Sequence, residues 1–246
     1  MLAVFSTFPD NPKCHPAIAL IHGAANSAKV WKFWQEKLAV SGWTSHAIDL
    51  RGHGHSSPVD LSHTSMDDYA DDVRKVIKEL PQPPVVMGWS MGGLVALMVA
   101  SQGDAVACVA LAPSTPTRGV DKSVTLRSGE FGPEEYGVVG NAPYHQPTMP
   151  DLDLEERSVA LASHSRESRL ARDERRAGIV IESLPCPLLI VTGTADTSWP
   201  RTRYDDIWID TEFYAVEGAS HWGLVLNRRA LADLAPRVLQ WLAVKI

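Results

Sequence analysis

Short runs rich in apolar residues recur along the chain, separated by longer stretches in which apolar and polar positions alternate at helical spacing. The runs fall at residues 17–21, 43–50, 85–87, 106–111, 188–191 and 212–216. This rhythm predicts a largely parallel sheet covered by helices, because each parallel strand needs a crossover to bring the chain back to the same end of the sheet. Residues 66–80 predict one such helix: Tyr69, Val73, Val76, Ile77 and Leu80 fall at helical spacing behind a Ser/Thr start. Pro81 stops it, since proline lacks the amide that a helix interior requires. Residues 94–100 and 229–244 predict two more. The expected fold class is therefore α/β, a mostly parallel sheet flanked by helices.

Between residues 113 and 184 the rhythm breaks. Ser128 to Pro150 holds four glycines and four prolines, the composition of irregular chain, and from Leu152 to about Ala177 the pattern turns charged and helical. Roughly seventy residues exceed what one crossover between sheet strands needs. The segment reads as a small, partly helical cap, 113–184, inserted into a core of residues 1–112 and 185–246, with an ordinary long crossover as the alternative. Only about sixteen residues precede Ala17, too few for an opening hairpin of two long strands, so one edge strand is expected to be short or missing.

Composition narrows the class. Hydrophobic residues at 45% and charged residues at 21% of 246 fit one folded domain rather than a disordered chain or a membrane protein. A formal net charge of -6 argues against a nucleic-acid partner, which needs a concentrated basic surface. The opening MLAVFSTFPD lacks a basic start and a signal-length apolar stretch, and no later apolar run reaches spanning length. Cys14, Cys108 and Cys186 are odd in number and widely spaced, which suits reduced thiols. A cytoplasmic protein, monomer or homodimer, without nucleic-acid or membrane partners, is the expectation.

The sharpest chemical signal is Gly88-Trp89-Ser90-Met91-Gly92-Gly93, between an apolar run and a helix-forming stretch. A nucleophile on a tight strand-to-helix turn needs glycines on both sides so that backbone can approach closely while the hydroxyl stays exposed. A plain glycine-rich turn is the alternative. A serine hydroxyl needs a base to take its proton and an acid to orient that base. His221, in GASHWG after the last run, is the best placed of nine histidines, and Asp196, in GTADTSWP, directly follows the run at 188–191. Alone, Asp196 reads equally as a helix cap and His221 as a hydrogen-bonded loop residue. Ser90, Asp196 and His221, each after a separate strand and in this order, predict a nucleophile, an acid and a base; Asp205 and Asp206, the rival acids, fall in a helix-like segment. The backbone amides of Ala24, in Ile21-His22-Gly23-Ala24-Ala25, and of Met91 are the expected oxyanion donors. His22 reads as a buried histidine holding that loop. His53 and His55 invite a metal reading, but no Asp and third His complete a hydrolytic site, so no metal is expected.

Taken together these landmarks resemble the α/β-hydrolase superfamily over nearly the whole chain: His22-Gly23, the DLRGHGHS stretch from Asp49 to Ser56, GWSMGG, GTAD and GASHW. The Trp89 elbow is similar to that of pimeloyl-ester carboxylesterases, which carry an aromatic residue where this chain has Ala24. The resemblance implies the α/β-hydrolase fold and, together with the Ser-His-Asp order, ester hydrolysis through an acyl-enzyme with no cofactor, on a small-molecule ester or lactone. The alternatives are a carbon–carbon hydrolase of ring-cleavage products, suggested by His221-Trp222 but usually carrying asparagine at the position of Trp89, a lactonase, and a ligand receptor on the same scaffold. Trp31, Trp89, Trp199 and Trp222 flank the machinery and read equally as pocket lining or as packing. Arg157, Arg166, Arg169, Arg172, Arg175 and Arg176 alternate with acids and predict a solvated helix with i,i+4 pairing rather than an anion-binding surface.

Overall fold

Successive residues of the central strands feed two separate cores. Ile18 and Leu20 pack on one side of the sheet and Ala19 and Ile21 on the other, and Val85/Met87 against Val86 repeat the division one strand along. A strand covered on both faces must be apolar throughout, which is why these segments read as continuous apolar runs rather than as alternation. The computed structural model describes residues 1–246. In chain order it contains β1 (Ala3–Thr7), β2 (Ile18–Ile21), α1 (Lys32–Val40), β3 (Ser45–Asp49), α2 (Met66–Ile77), β4 (Val85–Trp89), α3 (Met91–Ala100) and β5 (Ala107–Leu111). There follow β6 (Glu130–Phe131), α4 (Leu154–Ala162), β7 (Glu167–Ser168), α5 (Arg169–Ala177), β8 (Leu188–Gly193), β9 (Glu212–Val216), α6 (Gly223–Leu226) and α7 (Arg228–Lys245). The main sheet has the order β1-β3-β2-β4-β5-β8-β9, with only β1 antiparallel to its neighbour. A single opening strand thus takes the place of a hairpin, as the short N-terminal stretch predicts.

Two helix boundaries differ from expectation. α2 begins on a capping box, Ser65 accepting from the Asp68 amide while Asp68 accepts from Ser65, and ends at Ile77 rather than Leu80. Lys78, Glu79 and Leu80 continue as hydrogen-bonded turns up to Pro81. α3 starts at Met91, three residues before the apolar stretch suggests, because packing overrides the low helix propensity of Gly92 and Gly93. All ten residues of α3 are buried. A Cβ on Gly92 would sit 2.3 Å from the carbonyl oxygens of Ile21 and His22, and one on Gly88 would sit 2.0 Å from the Gly92 oxygen. The helix can press against β2 and β4 only if both positions lack side chains.

Residues 112–187 leave the sheet after β5 and return at β8. Within them β6 and β7 form a two-stranded antiparallel ribbon, and Thr117 bridges Val180. α4 lies against α6 and the 3₁₀ turn Ala28–Trp31, whereas α5 lies against α2 and the 3₁₀ turn Leu61–His63. The expected i,i+4 pairing of the charged stretch is not what forms. Asp173 receives Arg127, Glu135 receives Arg169 and Arg172, Glu130 receives Arg166, and Arg157 donates to the Met149 carbonyl, so most of these charges tie remote parts of the insertion together. No helix is long and apolar enough to cross a membrane.

The close approach at Gly88 gives a direct expectation. Gly88→Ala should lower unfolding stability by about 2–3 kcal/mol, the cost of forcing one methyl into packed backbone. A urea midpoint equal to that of the wild type would contradict the packing described.

Candidate active site

Ser90 follows β4 and precedes α3 with φ 57° and ψ -119°, backbone angles that cost a non-glycine residue energy and persist only when the surroundings hold them. Those surroundings are visible. The Ser90 amide donates to Leu111 O on β5 at 2.9 Å, and its carbonyl accepts from Gly93 and Ser114 at 3.1 Å each. The strained turn is thereby pinned to both the next strand and the new helix, and Ser90 lines a pocket.

His221 and Asp196 come to the same end of the sheet from the loops after β9 and β8. His221 Nδ1 lies 2.7 Å from Asp196 Oδ2. The other oxygen, Oδ1, accepts from the Ser198 and Trp199 amides at 2.9 Å each. The two readings of Asp196 therefore both hold: one oxygen caps the turn towards Pro200, the other meets the histidine. Burial alone would raise the Asp196 carboxyl, but the His221 hydrogen bond and charge and the two amides outweigh it and hold it below the ordinary range. The His221 carbonyl accepts from Trp89 Nε1 at 3.0 Å, which fixes the histidine loop to the residue before Ser90. Ser90 and His221 line one pocket, with no direct hydrogen bond between them. Asp205 pairs with Arg201 on the surface.

Ala24 also lines this pocket. Met91, as the first residue of α3, has an amide with no partner inside the helix. His22 is fully buried: Nδ1 lies 2.8 Å from Gly23 O and Nε2 accepts the Leu50 amide, so it braces the loop as read from the sequence. Burial and the neighbouring His53 lower its pKa to about 4. What the sequence does not reveal is Glu167. It is fully buried, and its Oε2 accepts the amide of Ala25, the residue after Ala24. Its Oε1 accepts from Tyr69 Oη at 2.5 Å and from the Ser168 amide at 2.7 Å. His53 Nε2, 3.5 Å from Oε2, faces it without a hydrogen bond. Burial would raise the Glu167 carboxyl, yet the His53 charge, the Tyr69 hydroxyl and Arg175 bring it down to about 2; burial would lower His53, but the Glu167 carboxylate and the Arg51 carbonyl outweigh it and hold His53 above the ordinary imidazole value. His53 is thus buried against Glu167 while the His55 side chain is 60% exposed, so the two do not converge. Nothing in spacing marks Glu167 among the charges around it.

The pocket has a volume of about 160 Å³. Ala24, Asn26, Trp89, Ser90 and His221 line it from the core, and Tyr136, Val138, Thr148, His164 and Arg175 from the insertion. Trp199 and Trp222 complete the wall, whereas Trp31 is fully buried elsewhere and serves packing alone. Arg175 departs from the solvated-helix expectation, since it turns inward. Burial lowers His164 to about 4, which keeps its imidazole neutral. A larger groove of about 740 Å³ beside β1 contains neither Ser90 nor His221.

The sequence model of the alpha/beta hydrolase family matches residues 18–234, most of the chain. The chain belongs to the alpha/beta hydrolase family. Among curated relatives, the pimeloyl-[acyl-carrier protein] methyl ester esterase of Klebsiella pneumoniae subsp. pneumoniae is 28% identical over 244 residues, covering 89% of this chain and 91% of that protein. The protein of that name from Aliivibrio fischeri (strain ATCC 700601 / ES114) is 34% identical over 83 residues, 34% of this chain, and the match spans only 30% of its length. Of solved structures, the Paleococcus ferrophilus monoacylglycerol lipase superposes with a TM-score of 0.69 at 20% identity, covering 100% of both chains. A thermophilic esterase from Thermogutta terrifontis gives 0.69 at 20% identity, with 98% and 93% covered. At such identities the likeness is one of fold, and this hydrolase shares the family's sheet and strand-to-helix turn.

Glu167→Gln removes the buried counter-charge of His53 and should cost about 3 kcal/mol at neutral pH. Because the folded-state pKa of Glu167 is depressed, its contribution is fully present above the ordinary value of 4.5 and is lost as the pH falls towards about 2. Urea midpoints of wild type and variant should therefore converge through that window. A pH-independent gap would show that the charge of Glu167 is not what stabilises the fold.

Proposed function

We propose that this alpha/beta hydrolase cleaves short carboxylic esters through a covalent acyl-enzyme. Ser90 is the nucleophile, His221 the general base and Asp196 the acid that orients it. The observation that carries this reading is the 2.7 Å contact of His221 Nδ1 with a buried, ionised Asp196 in the pocket that holds Ser90. That contact assigns the proton to Nδ1 and leaves Nε2 free to accept from the Ser90 hydroxyl. Attack on the ester carbonyl places negative charge on its oxygen, which the amides of Ala24 and Met91 receive. The base then returns its proton to the departing alcohol, and a water molecule, activated by the same imidazole, releases the acid.

The insertion, residues 113–184, acts as the cap of this site, since it supplies Tyr136, Val138, Thr148, His164 and Arg175 to the pocket. A volume of about 160 Å³ favours short acyl groups, being close to that of cavities of about 150 Å³ that hold benzene. The names of the curated relatives support ester chemistry here, although their acyl-carrier substrate is a larger one. The three free cysteines, one of them exposed, support a reducing, cytoplasmic setting.

Turnover of p-nitrophenyl esters of increasing acyl length tests this function. The optimum is expected at the short end, and Ser90→Ala should lower kcat by about 10⁴-fold or more. Absence of turnover by the folded wild type, with a lasting acyl adduct detected by intact mass, would instead favour a receptor built on this scaffold. Turnover that survives Ser90→Ala would overturn the assignment of the nucleophile.

A further inference from the structure

Arg175 stands out among the arginines of α5. Arg169 and Arg172 both reach Glu135, and Arg176 lies 3.9 Å from Asp173. Arg175 meets only hydroxyls: Nη2 donates to Tyr136 Oη at 2.9 Å and Nη1 to Ser114 Oγ at 3.4 Å. Its Nε is buried with no partner at all. Ser114 in turn donates its amide to the Ser90 carbonyl, so the guanidinium sits one residue from the nucleophile turn. The nearby carboxylate, Glu167, is already committed to Tyr69, Ser168, Ala25 and His53.

Two further polar atoms of the same pocket are buried and unpartnered, Thr148 Oγ1 and His164 Nε2. Unpaired buried polar groups are rare in folded proteins and point to a group that the free protein does not carry. Three such atoms, one of them on a cation, belong to residues that line a pocket of about 160 Å³. A neutral acyl chain would leave all three unsatisfied. A compact anion would accept from the guanidinium and the hydroxyl, and from His164 in its Nε2–H tautomer, and hydrogen bonds to a charged oxygen are the stronger kind.

We propose that this pocket selects esters bearing a carboxylate a few atoms from the scissile carbonyl, with Arg175 as the residue that recognises it. The inference rests on the esterase reading for its reaction but not for its binding site. The substrate class is then the half-esters of short dicarboxylic acids or the acyl esters of short hydroxy acids. Such compounds would be supplied by reactions that esterify one end of a small diacid or acylate a small hydroxy acid.

The experiment compares each anionic ester with its neutral isostere on the intact protein: monoethyl succinate with ethyl levulinate, and acetoxyacetate with acetoxyacetone. The first pair carries the carboxylate in the acid part, the second in the alcohol part. In one pair the wild type should favour the anionic ester in kcat/KM by about tenfold or more, the gain expected of a charge-assisted hydrogen bond. Arg175→Gln should bring that ratio to near one, and Arg175→Lys should restore part of it. Both esters are measured on the same sample, so any loss of folded protein cancels from the ratio. Ratios near one in both pairs, or a preference that survives Arg175→Gln, would overturn the proposal. A second readout is independent of turnover: quenching of the pocket tryptophans by succinate against neutral succinamide. Saturable quenching by succinate alone, lost in Arg175→Gln, with no ester cleaved, would uphold the anion pocket and remove the esterase reading. Cleavage of neutral and anionic esters alike, without such quenching, would do the reverse.

Discussion

Three backbone segments meet beneath Ser90 more closely than side chains would allow. β2 and the loop after it press on Gly92, the first turn of α3 presses on Gly88, and Leu111 of β5 takes the Ser90 amide. The strained φ of Ser90 is a consequence of that packing, not an independent feature. With the turn held in this way, Ser90 lines the pocket, Met91 starts α3 with an amide that has no partner inside the helix, and Ala24, on the loop after β2, lines the same pocket. The proposed nucleophile and both proposed oxyanion donors are thus positioned by the same packing. Histidine and acid arrive separately, on loops of two other strands, and Trp89 links them to the turn through the His221 carbonyl.

A second constraint joins the insertion to the core. Glu167 sits in the middle of the charged stretch, yet it is fully buried against the loop that bears Ala24. Its four partners come from the loop after β2, the DLRGHGHS stretch, α2 and its own neighbour, so residues 112–187 cannot shift without disturbing the amide beside the proposed oxyanion donor. Removing the charge from water is costly, and the cost is offset only because every oxygen is hydrogen-bonded and His53 faces it. The same segment delivers Arg175 and His164 to the pocket, so Glu167 also sets where the proposed recognition groups stand.

How much of this was legible in the sequence follows from the range of the interactions involved. The central strands were readable because they are buried on both faces, and the gathering of Ser90, Asp196 and His221 at one end of the sheet was readable because each follows a strand, Asp196 and His221 on the loops after β8 and β9. Ala24 and Met91, the expected oxyanion donors, lie on the loop after β2 and at the start of α3. Helix boundaries were less legible: the start of α3 depends on contacts across β2 and β4 that make glycines acceptable in a helix, and local propensity points the other way. Glu167 and Arg175 were hidden for a different reason. In the run from Arg166 to Arg176 acids and bases alternate as they do on a solvated helix, and only the fold decides that Arg169 and Arg172 meet Glu135 while Arg175 turns inward. Trp31, Trp89, Trp199 and Trp222 looked alike in sequence for the same reason, although only Trp31 lies outside the pocket.

The most direct test of the site as a whole is covalent labelling with a small organophosphonate, followed by mass mapping of the modified peptide. With the proposed roles, the protein should take up a single adduct, on Ser90, at a rate that falls sharply in His221→Ala. Labelling of another residue, or equal labelling of wild type and His221→Ala, would contradict the roles assigned to these side chains.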